Sequence, residues 1–272
     1  MSKYHGKNAS LSVVKIKKKK VAGEKISMVT CYDASFGRLV DETGIDMVLV
    51  GDSLGNVMLG FDDTTRVTLD HMIHHTASVS RVLTRPVLCA DMPFLSYNLS
   101  PTDALRNAGR LVQEGGAQCV KLEGGEDICP QVETLVKAGI PVVGHLGLTP
   151  QKVHLFGGYK VQGREQDERD AMIRDAKALQ DAGAFALVLE LVPGDLAAEI
   201  SRVLEIPTIG IGAGPHCDGQ VLVMQDLLGF DSGFNPRFLK KYAQMGEQIK
   251  SALNAYDQDV KTGQFPDYEH SF

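Results

Sequence analysis

The chain has 272 residues, of which 34 are Asp or Glu and 28 are Lys or Arg, for a formal net charge of −6. This mild acidity argues against a nucleic-acid partner, which calls for a basic face. No apolar run is long enough to span a membrane and the N-terminus has no apolar leader, so neither a membrane partner nor secretion is expected. The five cysteines are odd in number and form no Cys-x-x-Cys, which points to free thiols in a reducing cytoplasm.

In chain order, residues 1–25 are polar and read as an arm, with the basic run Lys15 to Lys20 solvated. Ile26 to Asp33 is expected as a first strand and Ala34 to Glu42 as a short helix stopped at Gly44. Met47 to Val50 is apolar and too short for a helix, which suits a fully buried parallel strand. A helix over about Thr68 to Val82 precedes a third strand ending at Asp91. Ser100 as N-cap and Pro101 at the first helical position open the next helix, and Gly115-Gly116 end it.

Cys119 to Glu123 is a fourth strand, followed by a helix to Gly139, and Pro141 to His145 is a fifth. The glycine-punctuated segment Phe156 to Gly163 has the character of a lid. A helix over Asp167 to Ala182, a sixth strand ending at Glu190, a helix over Asp195 to Leu204 and a seventh strand over Pro207 to Ile211 follow. Val221 to Gln225 is taken as strand eight, although too few residues precede it for a crossover helix. Phe238, Tyr242, Met245, Ile249, Leu253 and Tyr256 recur at helical spacing and predict one last helix.

Strands that alternate with helices imply a parallel sheet, and eight such units imply a single (β/α)8 TIM barrel. The expected organisation is an N-terminal arm over 1–25, a barrel with an extra C-terminal helix over 26–256, and a polar tail over 257–272.

Side chains alternate along a strand. That rule puts Asp52 on the face of Val48 and Val50, Asp91 with Val87 and Cys89, Lys121 with Glu123, His145 with Val143, and Glu190 with Val188. Five apolar strands thus end in ionisable groups, at the end of a parallel barrel where chemistry is kept.

Asp52, Asp91 and Glu123 on neighbouring strands would repel one another unless a cation joins them. An all-oxygen set suits Mg²⁺ or a similar hard divalent ion. Local pairing with Lys, Arg or backbone N–H groups is the bland alternative. Lys121 suits either a Schiff-base nucleophile or a plain cation for a substrate carboxylate, and nearby acids favour the second role; a salt bridge to Glu123 is its structural alternative. Glu190, expected apart from the trio and beside apolar neighbours, suits a general base, with a structural ion pair as the alternative. His145 is a hydrogen-bond donor to substrate or a satisfied core histidine. His74-His75 are expected to face solvent or a neighbour. Gly210 to Gly214 has the look of a phosphate turn or of a simple tight turn. A metal, a cation and a base together suit enolisation of a 2-oxo acid followed by attack on an electrophilic carbon.

Seven segments carry a resemblance. They are Gly51-Asp52-Ser53-Leu54-Gly55, Asp91-Met92-Pro93-Phe94, Lys121-Leu122-Glu123-Gly124-Gly125, Gly144 to Pro150, Gly157 to Gly163, Leu189-Glu190, and Gly210 to Gly214 with Cys217-Asp218-Gly219-Gln220. In this order they resemble the ketopantoate hydroxymethyltransferase family. The resemblance implies a barrel that transfers a hydroxymethyl group from 5,10-methylenetetrahydrofolate to 3-methyl-2-oxobutanoate, giving 2-dehydropantoate, the first step of pantothenate and coenzyme A synthesis. It implies Mg²⁺ on Asp52, Asp91 and Glu123, and oxo-acid contacts from Asp52, Ser53, Asp91 and Lys121. It further implies Glu190 as proton acceptor, and a homo-oligomer, with decamers in the family. Asn56, Thr65-Arg66, Lys152 and Leu191 depart from the family's usual residues, which bears on loop detail and folate contacts. The competing enzyme is a metal-dependent lyase or mutase of the isocitrate lyase–phosphoenolpyruvate mutase type, but its usual Lys-x-x-Cys-Gly loop is missing here. A catalytically silent binding barrel is the other rival, and it predicts the loss of a polar strand end, which is not seen.

Overall fold

The computed structural model describes residues 10–158 and 160–272. Residues 1–9 of the expected arm and Tyr159 of the expected lid lie outside the described residues. Eight parallel strands, β1 (Ile26–Thr30), β2 (Met47–Val50), β3 (Val87–Asp91), β4 (Cys119–Glu123), β5 (Val142–Gly147), β6 (Ala186–Glu190), β7 (Thr208–Ile211) and β8 (Gly219–Leu222), close into a barrel in sequence order. The helices are α1 (Val13–Val21), α2 (Ala34–Asp41), α3 (Leu54–Val57), α4 (Leu69–Ser80), α5 (Pro101–Gln113), α6 (Cys129–Lys137), α7 (Val153–Phe156), α8 (Gln166–Asp181), α9 (Gly194–Val203), α10 (Met224–Leu227) and α11 (Met245–Thr262). The expected (β/α)8 barrel is therefore observed. Strand eight starts at Gly219 rather than Val221 and follows β7 without an intervening helix, pairing in parallel with both β7 and β1.

Alternate residues of the strands fill the barrel. Met28, Met47, Leu49, Val87, Cys89, Cys119, Val143, Ala186, Val188, Ile209 and Val221 form one buried cluster with Ile16, Ile26 and Phe185. The inward face of β2 is thus Met47 and Leu49. This corrects the expectation that Val48 and Val50 share a face with Asp52.

The basic run is not a solvated arm. It folds as α1, whose N-cap Ser12 accepts from the Lys15 N–H. Ile16 is fully buried in the barrel cluster, a burial that contributes about 2 kcal/mol. Lys19 pairs with Asp46 at 2.8 Å. Lys20 Nζ reaches Asp218 Oδ2 at 2.9 Å and donates to the carbonyls of Ser201 at 2.7 Å and Ile206 at 3.0 Å. Lysine stems cover apolar surface while their ammonium groups find carboxylates. A run of lysines therefore conceals a helix anchored by one isoleucine.

The chain divides into two compact units, the first ending at Leu222 and the second formed by Val223–Phe272. In the second, the expected last helix begins at Met245 rather than near Phe238. The Tyr242 N–H donates to the Leu227 carbonyl at 2.7 Å and the Met245 N–H to the Leu228 carbonyl at 2.9 Å, so these groups are taken from the helical pattern. No residue of α11 is buried. Among the described residues, no helix is long and apolar enough to cross a membrane.

Candidate active site

The alternation that fills the barrel continues upward into charged side chains. Asp91 follows Val87 and Cys89 on β3, and Lys121 and Glu123 follow Cys119 on β4. His145 follows Val143 on β5, and Glu190 follows Ala186 and Val188 on β6. The register then sets them side by side: Asp91 is paired with Lys121, Glu123 with His145, and Gly147 with Glu190.

Asp91, Lys121, Glu123 and His145 are all buried. Lys121 Nζ lies 3.1 Å from Asp91 Oδ1 and 3.7 Å from Glu123 Oε1. It also lies 3.0 Å from His145 Nδ1. An ammonium can only donate, so at that contact Nδ1 is the acceptor. His145 Nε2 then faces Glu190 Oε2 at 3.3 Å, close enough for charge but off the line of a hydrogen bond. Glu190 was expected to stand alone beside apolar neighbours; it stands instead at the end of this polar row.

Asp52 arrives by a different route. Strand β2 stops at Val50, and the turn through Gly51 carries Asp52 back over the barrel mouth. Its backbone N–H donates to Asp91 Oδ2 at 3.0 Å. Gly51 has to be small, because a Cβ there would stand 2.9 Å from Ser53 Oγ and 3.5 Å from Asp91 Oδ2. Ser53 Oγ is 2.9 Å from the Tyr32 hydroxyl.

Three site residues were not anticipated, and two of them, Gln151 and Tyr97, lie outside any strand period. Gln151 Nε2 donates to Asp52 Oδ2 at 2.8 Å and to the Met92 carbonyl at 2.9 Å, and its backbone N–H donates to Glu123 Oε2 at 3.1 Å. The Tyr97 hydroxyl faces Gln151 Oε1 at 2.8 Å and the Glu123 carbonyl at 3.0 Å. Tyr32 is the third. The segment ending in Pro150 stops next to Gln151, and Tyr32 continues the alternation of Ile26 and Met28 two residues beyond the end of β1. His75 Nδ1 sits 2.7 Å from the Tyr32 carbonyl, while His74 is exposed. The glycine run after β7 serves close backbone approach: a Cβ at Gly214 would stand 3.0 Å from the Gly194 Cα.

Electrostatics follow from burial. Desolvation, reinforced by Asp91 and Glu123, pushes the Asp52 carboxyl well above its ordinary range. Desolvation raises Asp91 too, although Lys121 opposes it. For Glu123 burial also pushes upward, but contacts with His145 and Lys121 win and hold it below the usual carboxylate range. Burial would lower Lys121, but Asp91, Glu123 and Asp52 carry it above its ordinary value. His145 is pressed down by burial and by Lys121, yet Glu123 and Glu190 carry it upward.

Three buried carboxylates therefore share one buried ammonium. Asp91 Oδ1 and Glu123 Oε1 are buried and have no hydrogen-bond partner. These open oxygens are hard donors of the kind that suit a hard divalent cation. Among the described residues, no group of three or more His, Cys, Asp or Glu side chains stands arranged to hold a metal ion. The donor set fits an ion that keeps some positions for water or substrate oxygens.

A closed parallel barrel with an acid–lysine–histidine row at the carboxyl ends of its strands has the build of an α/β-barrel enzyme. Residues 10–268 match the family model described as ketopantoate hydroxymethyltransferase, and the chain belongs to that family. It is 56% identical over 253 residues to the 3-methyl-2-oxobutanoate hydroxymethyltransferase of Acetivibrio thermocellus, covering 93% of this chain and 89% of that one. The identity to the enzyme of the same name from Moorella thermoacetica is 56% over 253 residues, 93% of this chain and 94% of that one.

Among solved structures, a phosphonopyruvate hydrolase in complex with oxalate and Mg²⁺ superposes with a TM-score of 0.62 at 9% identity, over 96% of this chain and 93% of that one. A 2,3-dimethylmalate lyase of the phosphoenolpyruvate mutase/isocitrate lyase superfamily superposes with a TM-score of 0.60 at 15% identity, over 95% and 91%. At such low identity these two share the barrel fold.

Proposed function

We propose that the protein transfers a hydroxymethyl group from 5,10-methylenetetrahydrofolate to 3-methyl-2-oxobutanoate, giving 2-dehydropantoate, the first step of pantothenate and coenzyme A synthesis. The observation that carries this is the row Asp91, Lys121, Glu123, His145 and Glu190, in which two buried carboxylate oxygens face Lys121 without a hydrogen-bond partner. Family membership supports the same reaction.

Asp52, Asp91 and Glu123 are the residues that would hold Mg²⁺ or a similar divalent cation. When bound, such an ion supplies Lewis-acid polarisation of the oxo acid's keto and carboxylate oxygens. Lys121 stays an ammonium among its acids, which suits binding a carboxylate and not forming a Schiff base, since that needs a free amine. Ser53, Asp52 and Asp91 complete the oxo-acid contacts. Glu190 takes the proton from C3: its carboxylate ends the row and remains partly open to the barrel mouth. Water opens the methylene bridge of the folate, breaking both carbon–nitrogen bonds to leave tetrahydrofolate and the one-carbon unit as formaldehyde. The enolate carbon attacks the formaldehyde carbon, and the alkoxide formed takes a proton to become the hydroxymethyl group.

A cleft of about 390 Å³, lined by Gly124, Gly147, Lys152, Gln162, Glu168 and Met172 among others, offers room for the second, larger substrate. The free thiols favour a cytoplasmic setting. The exposed Ile249, Leu253 and Tyr256 of α11 offer apolar surface for a homo-oligomer.

The test is deuterium loss from C3-deuterated 3-methyl-2-oxobutanoate without folate, with Mg²⁺ and with chelator. Metal-dependent loss is expected, followed by 2-dehydropantoate on adding 5,10-methylenetetrahydrofolate. If the oxo acid keeps its deuterium under every condition, folate included, the proposal fails.

A further inference from the structure

The three acids at the barrel mouth do not position themselves. Gln151 is buried in the short helical turn Pro150–Lys152 after β5, and it touches two of them at once. Its side-chain amide donates to Asp52 Oδ2 and its backbone N–H to Glu123 Oε2. The Asp52 backbone N–H in turn takes Asp91 Oδ2. One oxygen of each acid is therefore tied to protein. The other oxygens of Asp91 and Glu123 face inward toward Lys121 without a hydrogen bond.

A neutral donor is the right chemistry for this task. An amide fixes a carboxylate without neutralising it, and so adds no second positive charge to the one Lys121 already supplies. The amide's orientation is dictated by its surroundings. Nε2 faces two acceptors, Asp52 Oδ2 and the Met92 carbonyl, while Oε1 faces the Tyr97 hydroxyl. A flipped amide would set its oxygen against both acceptors. Tyr97 is itself buried and accepts from the Glu123 N–H at 3.2 Å.

We propose that Gln151 is a positioning residue for a divalent cation, holding Asp52 and Glu123 with their remaining oxygens free, and that Tyr97 acts through it by fixing the amide. This rests on the cation reading given above. Outer groups of this kind commonly change metal affinity by about 10- to 100-fold.

The experiment is Mg²⁺ titration of the metal-stripped full chain by isothermal calorimetry, for the parent, Gln151→Met, Tyr97→Phe, the double variant and Asp91→Asn, with thermal unfolding to verify folding. Methionine keeps the volume and the backbone N–H and removes only the amide. Gln151→Met should weaken Mg²⁺ binding about tenfold or more, and Tyr97→Phe by roughly three- to tenfold. The double variant should be no weaker than Gln151→Met, because Tyr97 works through the amide. Parent-like Mg²⁺ affinity in a folded Gln151→Met, with affinity lost in Asp91→Asn, overturns this inference and leaves the cation reading intact. An additive loss in the double variant overturns the part played by Tyr97. If Gln151→Met does not fold, Tyr97→Phe decides alone, and parent-like affinity there overturns the inference. Absence of Mg²⁺ binding in the parent overturns the cation reading and this inference together.

Discussion

Gly147 and Glu190 are cross-strand partners between β5 and β6, and the two backbones meet so closely that a Cβ on Gly147 would run into the Glu190 carbonyl oxygen. Gly147 has φ +92°, a conformation that side chains resist. The next residue, Leu148, donates its N–H to the same carbonyl at 2.8 Å. On the far side of Glu190, Leu191 adopts φ +47°, which is uncommon for a residue with a side chain. The proposed base is thus held by its backbone from both sides. Gly147→Ala should cost about 2–4 kcal/mol from overlap and backbone strain together. It should also lower C3 exchange at least tenfold, since Glu190 must move; urea unfolding and the deuterium assay read the two effects.

Glu190→Gln keeps the shape of the side chain and removes its basicity. Mg²⁺ and oxo-acid binding should survive, while C3 exchange falls by about 10² or more. Parallel calorimetry and deuterium exchange on one preparation separate the two, and normal exchange would remove Glu190 as the base.

Asp226 of α10 gives a pH dependence of stability. Burial raises its carboxyl to about 6, Asp231 adds to the rise and Lys241 opposes it. The folded state therefore binds this proton more tightly than the unfolded chain does. The group's favourable contribution is fully present below about 4 and is lost as pH rises through about 6. Above that range the ionised carboxylate is a cost. Asp226→Asn should raise Tm at pH 8 by about 2–4 °C, on the order of 1 kcal/mol after allowing for solvent screening. The advantage should shrink toward zero near pH 4, and a Tm gain independent of pH would contradict the assignment.

Ile16→Ala tests whether α1 belongs to the folded barrel. Removing a fully buried isoleucine from the cluster should cost about 2–5 kcal/mol. A change below about 0.5 kcal/mol in chemical denaturation would mean that the helix is dispensable.

The sequence alone determined the barrel and the five residues of its polar row. Asp91, Lys121, Glu123, His145 and Glu190 each continue an unbroken alternation inside a short apolar strand, so their inward direction follows from the two-residue period. Parallel register then places neighbours such as Asp91 and Lys121 together. Asp52 was named for the right place on the wrong ground: β2 ends before it, and the turn at Gly51, not the strand's alternation, brings its backbone N–H onto Asp91. Gln151 and Tyr97 lie on separate loops. Loop side chains obey no period, and these two meet only because the closed barrel brings the ends of β3 and β5 over the same acids. Ile16 among its lysines was concealed for a related reason, since one fully buried apolar residue in a mostly basic segment carries too little periodic signal to declare a helix. Local alternation is written in the chain itself, whereas contact between residues far apart in sequence exists only once the barrel has closed.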